Sequence, residues 1–327
     1  MTTASVLQLF QAFPAISAQL EVAASGTVVA NLSERGLLKL SGEDSVPFLQ
    51  GQVTNDVKLL NGSNSQFAGY CTAKGRLLAL FFAFSIDNAI YLQLNRALTD
   101  SILKRLKMYV LRSKVTISDE SQTIRLGIAG KNAAQLLAKL FPTVPENPHS
   151  LVRHENTVII RLPSAVPMFE IITDENQATA LCTAMASEST FVSEQTWNWL
   201  ETQAGIPEIS PETQETFVPQ MVNLDVLEGI NFKKGCYTGQ EIVARTHYLG
   251  TVKRRTQLAH IASETTPKAG DAIVDSNQQA IGQIVRAAPA MGGGFDVLAE
   301  CRLESIDQGK VFWQTNALDI KALPYAL

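Results

Sequence analysis

The chain has few cysteines, no long apolar run and almost no net charge, and each shortage excludes a class of protein. Four cysteines, Cys71, Cys182, Cys236 and Cys301, stand far apart among 327 residues, with no CxxC pair and no Cys/His grouping at zinc spacing. That pattern suits neither a disulfide framework nor a structural zinc site, so the thiols are expected to be reduced and no metal is expected. A net charge of −4 excludes a protein that coats nucleic acid by bulk electrostatics; any RNA contact is local, and no DNA partner is expected. No apolar stretch approaches the roughly 18 residues of a membrane span, and the first residues lack the basic start and continuous apolar core of a secretory signal. A cytoplasmic chain without a membrane partner is the expectation. Self-similarity of solenoid period is also absent.

What is present is chain enough for two or three domains. Strand-like runs at Val28-Val29-Ala30, Leu37–Leu40, Gln66–Tyr70, Leu77–Phe84 and Tyr91–Leu94 lead into helical spacing over Thr99–Arg112, where Lys104, Arg105 and Lys107 form an outward basic side. A weak helix over residues 1–24, a cap from Ser41 or Asp44, further strands at 115–117 and 124–128, and a helix over Asn132–Leu140 continue the alternation. Strands at 158–162 and 168–172 and a helix over Gln177–Ala186 repeat it, which predicts two ferredoxin-like α+β units. Three prolines between Pro142 and Ser150 mark a boundary, and after Gly250 short strands with Gly-rich turns predict a small antiparallel β-barrel. The expected division is 1–145, 146–250 and 251–327. A helix opening at Ser193 and closing at Gly205 carries Trp197 and Trp199, which cannot share one face, so one is expected in the core and the other toward a cavity.

The chemistry concentrates in Asn231-Phe232-Lys233-Lys234-Gly235-Cys236-Tyr237-Thr238-Gly239-Gln240-Glu241-Ile242-Val243-Ala244-Arg245. Thr238 followed by Glu241 and an apolar run reads as a capping box, placing Cys236 just outside a helix N-terminus. That terminus, with Lys233 and Lys234, favours the thiolate, and Gly235 and Gly239 permit positive φ and close approach of a flat ligand. The competing reading is a tight loop whose cysteine fills space; the coincidence of charge, glycines and cap favours function.

The run KGCYTGQE closely resembles the signature of the YgfZ proteins, folate-binding, tRNA-modification-linked relatives of the glycine-cleavage aminomethyltransferases. The resemblance extends to Gln50–Val57, Ala73-Lys74-Gly75-Arg76, Ser113–Ile117, Ala204-Gly205-Ile206-Pro207 and Leu323-Pro324-Tyr325. It implies an α+β aminomethyltransferase-like fold of two intertwined units and a barrel, with tetrahydrofolate or another folate in a central channel and the N-terminal unit binding it. Trp197 matches by position a tryptophan associated with folate; a core aromatic is the alternative. Arg35 stands where the family's better-known member has another tryptophan. It can stack on a pterin, pair with a tail carboxylate, or be a surface turn residue. Tyr237 and Gln240 are further pocket candidates, and Lys253-Arg254-Arg255 with Arg245 and His247 is the densest basic patch, able to meet RNA, the folate tail or only solvent. The acidic pair of the transferases is missing from Gly75–Leu80, which argues against glycine-cleavage chemistry.

The resemblance therefore implies a folate-dependent accessory protein that supports iron–sulfur enzymes and tRNA-modifying enzymes, with Cys236 as its essential thiol and an influence on replication initiation through tRNA modification. Whether that thiol acts as nucleophile, redox partner or transient metal ligand stays open. Two rivals remain: a tetrahydrofolate-dependent one-carbon transferase, and a tRNA-binding module.

Overall fold

The computed structural model describes residues 9–309 and 311–327. The start of the helix expected over 1–24 lies outside them; the helix itself, α1, is Ile16–Ser25. Next come β1 Thr27–Asn31, β2 Gly36–Ser41, α2 Ser45–Gln50, β3 Ser65–Cys71, β4 Leu77–Ile86, β5 Ala89–Leu94, α3 Thr99–Val110, β6 Thr116–Asp119, β7 Ile124–Gly130 and α4 Ala133–Leu140. The middle of the chain supplies β8 Leu151–His154, β9 Thr157–Arg161, β10 Met168–Thr173, α5 Glu175–Met185, β11 Thr190–Val192, α6 Glu194–Gln203 and α7 Gln240–Tyr248. Last are β12 Arg254–Ile261, β13 Ala272–Val274, β14 Ala280–Pro289, β15 Phe295–Arg302, α8 Leu303–Asp307, β16 Phe312–Trp313 and β17 Asn316–Lys321.

Two sheets and a closed barrel result. One sheet runs β11-β1-β7-β10-β9-β8, the other β3-β4-β5-β2-β6, and the barrel β12-β15-β14-β13-β16-β17. The mixed α+β class and the antiparallel barrel agree with the sequence reading, although β17 went unread. β4 is apolar and buried from Leu77 through Phe84, as suits a strand covered on both faces. Although consecutive, β1 and β2 do not pair: β1 lies between β11 and β7 in the first sheet, while β2 lies between β5 and β6 in the second. The chain crosses between sheets through residues 32–35. The first sheet takes β1 and β7 from before residue 145 and β8–β11 from after it, so the proline-rich boundary separates stretches of chain rather than sheets.

α6 is wedged between the first sheet and the barrel, and this corrects the expectation for its tryptophans. Both are buried. Trp197 lies over Gly127 of β7, where even a methyl group would stand 2.6 Å from the ring, and Trp199 donates its Nε1–H to Asp296 of β15 at 2.9 Å. Two opposite faces are apolar because two different layers cover them. The helix stops as expected at Gly205, whose φ of +68° suits glycine, and Tyr325 from the C-terminal tail donates to the Gly205 carbonyl at 2.8 Å.

Candidate functional site

The crossover at residues 32–35 fixes the first half of the site. Arg125 on β7, fully buried, donates to the carbonyls of Ser33, Arg35 and Gly36, so the turn is held from beneath by backbone contacts. Arg35 is thereby aimed inward, and the expectation of a surface turn residue fails: its guanidinium grips Glu201 of α6 at 2.6 and 2.8 Å and reaches Asn198 at 3.3 Å. Glu201 also accepts from Arg286 of β14 at 2.5 Å and from Trp197 Nε1 at 3.1 Å. Burial opposes ionisation of Glu201, but Arg35 and Arg286 outweigh it and hold the carboxyl down at about 2. Burial likewise opposes the charge of Arg35, and Glu201 reverses that effect, leaving its pKa above the ordinary arginine value.

This triad walls one side of a narrow cavity between the two sheets, bordered by Phe67, Phe82, Gln93 and Glu170. Glu170, on β10, is 1% exposed. Gln93 of the opposite sheet donates to its Oε2 at 3.1 Å, while Oε1 is buried without a partner among the described residues. Burial pushes the Glu170 carboxyl above its usual range, and Arg125 and Arg35 only partly offset this. The cavity has space for about 60 Å³ by the measure on which one water needs roughly 10–15 Å³, a handful of waters. Phe67 is shared with a second, open cleft of about 720 Å³ that reaches Phe232 and Lys233 of the signature.

The signature loop is built differently from the expectation. The helix is α7, and its first residue is Gln240; Gly239 at φ +85° is the N-cap, with no side-chain cap bond, so the Thr238–Glu241 capping box does not form. Gly239 sits against the 72–75 turn, and a methyl group there would meet the Thr72 carbonyl at 2.4 Å and the Gly75 backbone at 2.9 Å. Lys234 turns away from Cys236 and inward, donating to the carbonyls of Gln50 and Val53 at 2.7 and 2.6 Å with its amine 4.9 Å from the Tyr237 ring centroid. Burial lowers its pKa to about 8. It is a strut that pins the loop to α2 rather than a cation for the thiol. Cys236 is exposed, and a methyl group added to Gly235 would meet nothing within 4 Å, so the space beside the thiol is open. Tyr237 is buried, Gln240 half-buried and Glu241 exposed.

Arg35 and Trp197 thus converge on Glu201 at the cavity, whereas Lys234, Gly235, Cys236, Tyr237, Gly239, Gln240 and Glu241 form a separate loop. Trp197 has no exposed surface to offer a ligand; its contribution to the cavity is the hydrogen bond that orients Glu201. The basic run is also partly spent: Arg254 pairs with Glu300 at 2.5 Å, and Arg255 with Asp225 at 2.5 and 2.8 Å, leaving Lys253 outside these pairs.

No protein-family model matches the chain. It is 32% identical to the tRNA-modifying protein YgfZ of Sodalis glossinidius over 91% of this chain and 92% of that protein. With YgfZ of Escherichia fergusonii it shares 33% over 90% and 92%, and with that of Yersinia pseudotuberculosis 31% over 95% and 97%. The chain belongs to the YgfZ family. Glycine cleavage system aminomethyltransferase T from Bartonella henselae superposes with a TM-score of 0.77 over 98% of this chain and 95% of that one at 16% identity, which establishes the fold.

Within this YgfZ-family chain, Glu170, Glu201 and Arg286 were missed by sequence reasoning. Glu170 had a usable signal, a lone carboxylate inside the apolar run Met168-Phe169-Glu170-Ile171-Ile172, which a buried strand tolerates only where something meets the charge. The two glycines of the signature separate sharply. Gly239→Ala is expected to lower stability by about 1–3 kcal/mol or more through strain at positive φ and backbone overlap, whereas Gly235→Ala leaves it within about 0.5 kcal/mol. Denaturant unfolding of the two variants side by side checks this.

Proposed function

We propose that this chain binds a folate with the pterin ring in the cavity between the sheets, and acts as a folate-dependent accessory protein in tRNA modification, supporting iron–sulfur enzymes through Cys236. The observation that carries the reading is the unpartnered Oε1 of Glu170 on the cavity wall. A pterin edge presents adjacent amino and ring N–H donors, and a buried carboxylate with a free oxygen is the acceptor such an edge requires. Phe67 and Phe82, with ring centroids 5.5 Å apart, supply apolar faces. A space of a few waters suits a flat bicyclic ring rather than a whole folate, so the rest of the molecule lies outside this cavity.

The names of the relatives support the tRNA-modification role, and the aminomethyltransferase fold supports a folate-type ligand. Titration of the purified protein with tetrahydrofolate by calorimetry tests the reading; the absence of saturable binding overturns it. Cys236→Ala is expected to leave thermal stability and folate affinity unchanged, because the thiol is exposed, and to abolish restoration of methylthiolated tRNA in cells lacking the gene. Full restoration by that variant removes the thiol from the proposal.

Glu170 also favours a second reading. β4 lacks an acid, but β10 gives the cavity a carboxyl group whose raised pKa suits proton exchange, as tetrahydrofolate-dependent one-carbon transfer requires. Formaldehyde or methylene-folate turnover by the purified protein distinguishes transferase from accessory.

A further inference from the structure

The open cleft beside the signature has features that folate binding in the inner cavity does not explain. Phe232 and His247 stack with centroids 3.8 Å apart, inclined by 13°, and Tyr248 stands edge-on to His247 at 4.7 Å while remaining 64% exposed. Together these three rings give the cleft an aromatic rim. Inside the cleft, Gln66 is 8% exposed and its Nε2 is buried with no acceptor among the described residues. A buried amide donor left unpaired on a residue of the cleft wall calls for an acceptor.

The charge distribution identifies the occupant. Glu228 and Asp225 line the cleft, Asp225 being neutralised by Arg255, and burial holds the nearby His149 down at about 4, so its imidazole is neutral at physiological pH. An anionic group placed within would therefore meet an exposed carboxylate and, among the described residues that line the cleft, no lysine or arginine except Lys233 at the edge. Outside, Lys233 on the rim, Arg245 on α7 and Lys253 beyond it are exposed and form no ion pair among the described residues. A neutral, planar, acceptor-bearing group inside, an aromatic shelf at the mouth and unpaired cations beyond describe a nucleobase whose phosphates stay outside. A duplex cannot offer this; an unpaired base in a loop can.

We propose that this cleft is a binding site for an unpaired nucleobase of structured RNA, with the base stacked at Tyr248 and His247, an acceptor on its edge meeting Gln66 Nε2, and the flanking phosphates meeting Lys233 and Arg245. The site adjoins the inner cavity at Phe67 and does not depend on folate occupying that cavity.

The test is fluorescence anisotropy at low salt with a labelled RNA hairpin carrying an unpaired loop, against a blunt RNA duplex of equal length. The hairpin is expected to bind more tightly. Tyr248→Ala, an exposed substitution that leaves folding intact, weakens hairpin binding about tenfold through lost stacking while hardly affecting the duplex. Gln66→Leu weakens the hairpin alone, and a melting temperature matching the parent protein separates this from misfolding. Lys233→Ala weakens both RNAs and reduces the slope of log affinity against log salt by about one. Equal affinity for hairpin and duplex, or a Tyr248→Ala variant that binds the hairpin as the parent does, overturns the site. Folate affinity measured on the same variants stays unchanged, so loss of RNA binding is distinguishable from failure of the folate reading.

Discussion

Glu201→Ala is expected to reduce the unfolding free energy by about 3–5 kcal/mol, the cost of removing one partner from a buried ionic cluster. The loss is large because Glu201 is the shared acceptor of Arg35 and Arg286, each a buried or nearly buried guanidinium, and of the Trp197 indole. Deleting the carboxylate strands two charges in a low-dielectric wedge between α6, β14 and the 32–35 crossover. Removing Arg35 as well should cost less than the sum of the single losses, since the double variant leaves fewer orphans. Equilibrium denaturation of the single and double variants reads this directly; additive losses would mean that Arg35 and Glu201 act independently.

The pH dependence has a definite sign. Because the Glu201 carboxyl is held near 2 in the folded protein, below its ordinary carboxylate value of 4.5, the folded state binds fewer protons than the unfolded chain in that window. Its contribution is complete above about pH 5 and is lost as the pH falls toward 2. In the Glu201→Ala variant, stability should therefore fall less steeply over that acid range.

The fold was legible in the sequence where local pattern decides it. The unbroken apolar run of β4, the punctuation at Gly205 and Pro207 and the short strands of the barrel all express periodicity or turn chemistry that a single stretch carries. Sheet membership was not legible. β1 and β2 are consecutive and joined by a short crossover, yet they belong to different sheets, a choice made by partners about a hundred residues away on β7 and about fifty residues away on β5. The signature was recognisable as a motif, but its internal roles were not. Lys234 and Cys236 are close in sequence, and only the positions of the Gln50 and Val53 carbonyls decide that the amine points inward while the thiol points out. Thr238 and Glu241 had correct capping-box spacing and lost to Gly239, because the approach of the 72–75 turn requires a residue without a side chain at the helix start. Charge identity alone misled at Arg254 and Arg255, whose carboxylate partners are distant in sequence.

Glu170→Gln is the variant in which stability and binding should move in opposite directions. In the free protein the Glu170 carboxyl is buried, half-satisfied and raised in pKa, so the folded state holds its proton more tightly than the unfolded chain does. The sign follows: this contribution is fully present below the ordinary carboxylate pKa and is lost as the pH rises through the folded one, so above the ordinary range the buried carboxyl is a net burden on folding. Glutamine keeps the shape and an oxygen acceptor while removing that charge, so the ligand-free variant should melt at a higher temperature than the parent at pH 7 and at nearly the same temperature in acid. Folate binding should weaken about 10–100-fold, the range expected when a charge-assisted pair becomes a neutral one with a donor facing a donor. Strain retained at a ligand site at the expense of stability is the expected signature of a functional carboxylate. A variant with raised melting temperature and undiminished folate affinity would return Glu170 to the framework and move the ring-binding site elsewhere; one with lowered stability would mean that Gln93 and Arg125 already satisfy the carboxylate in the free protein.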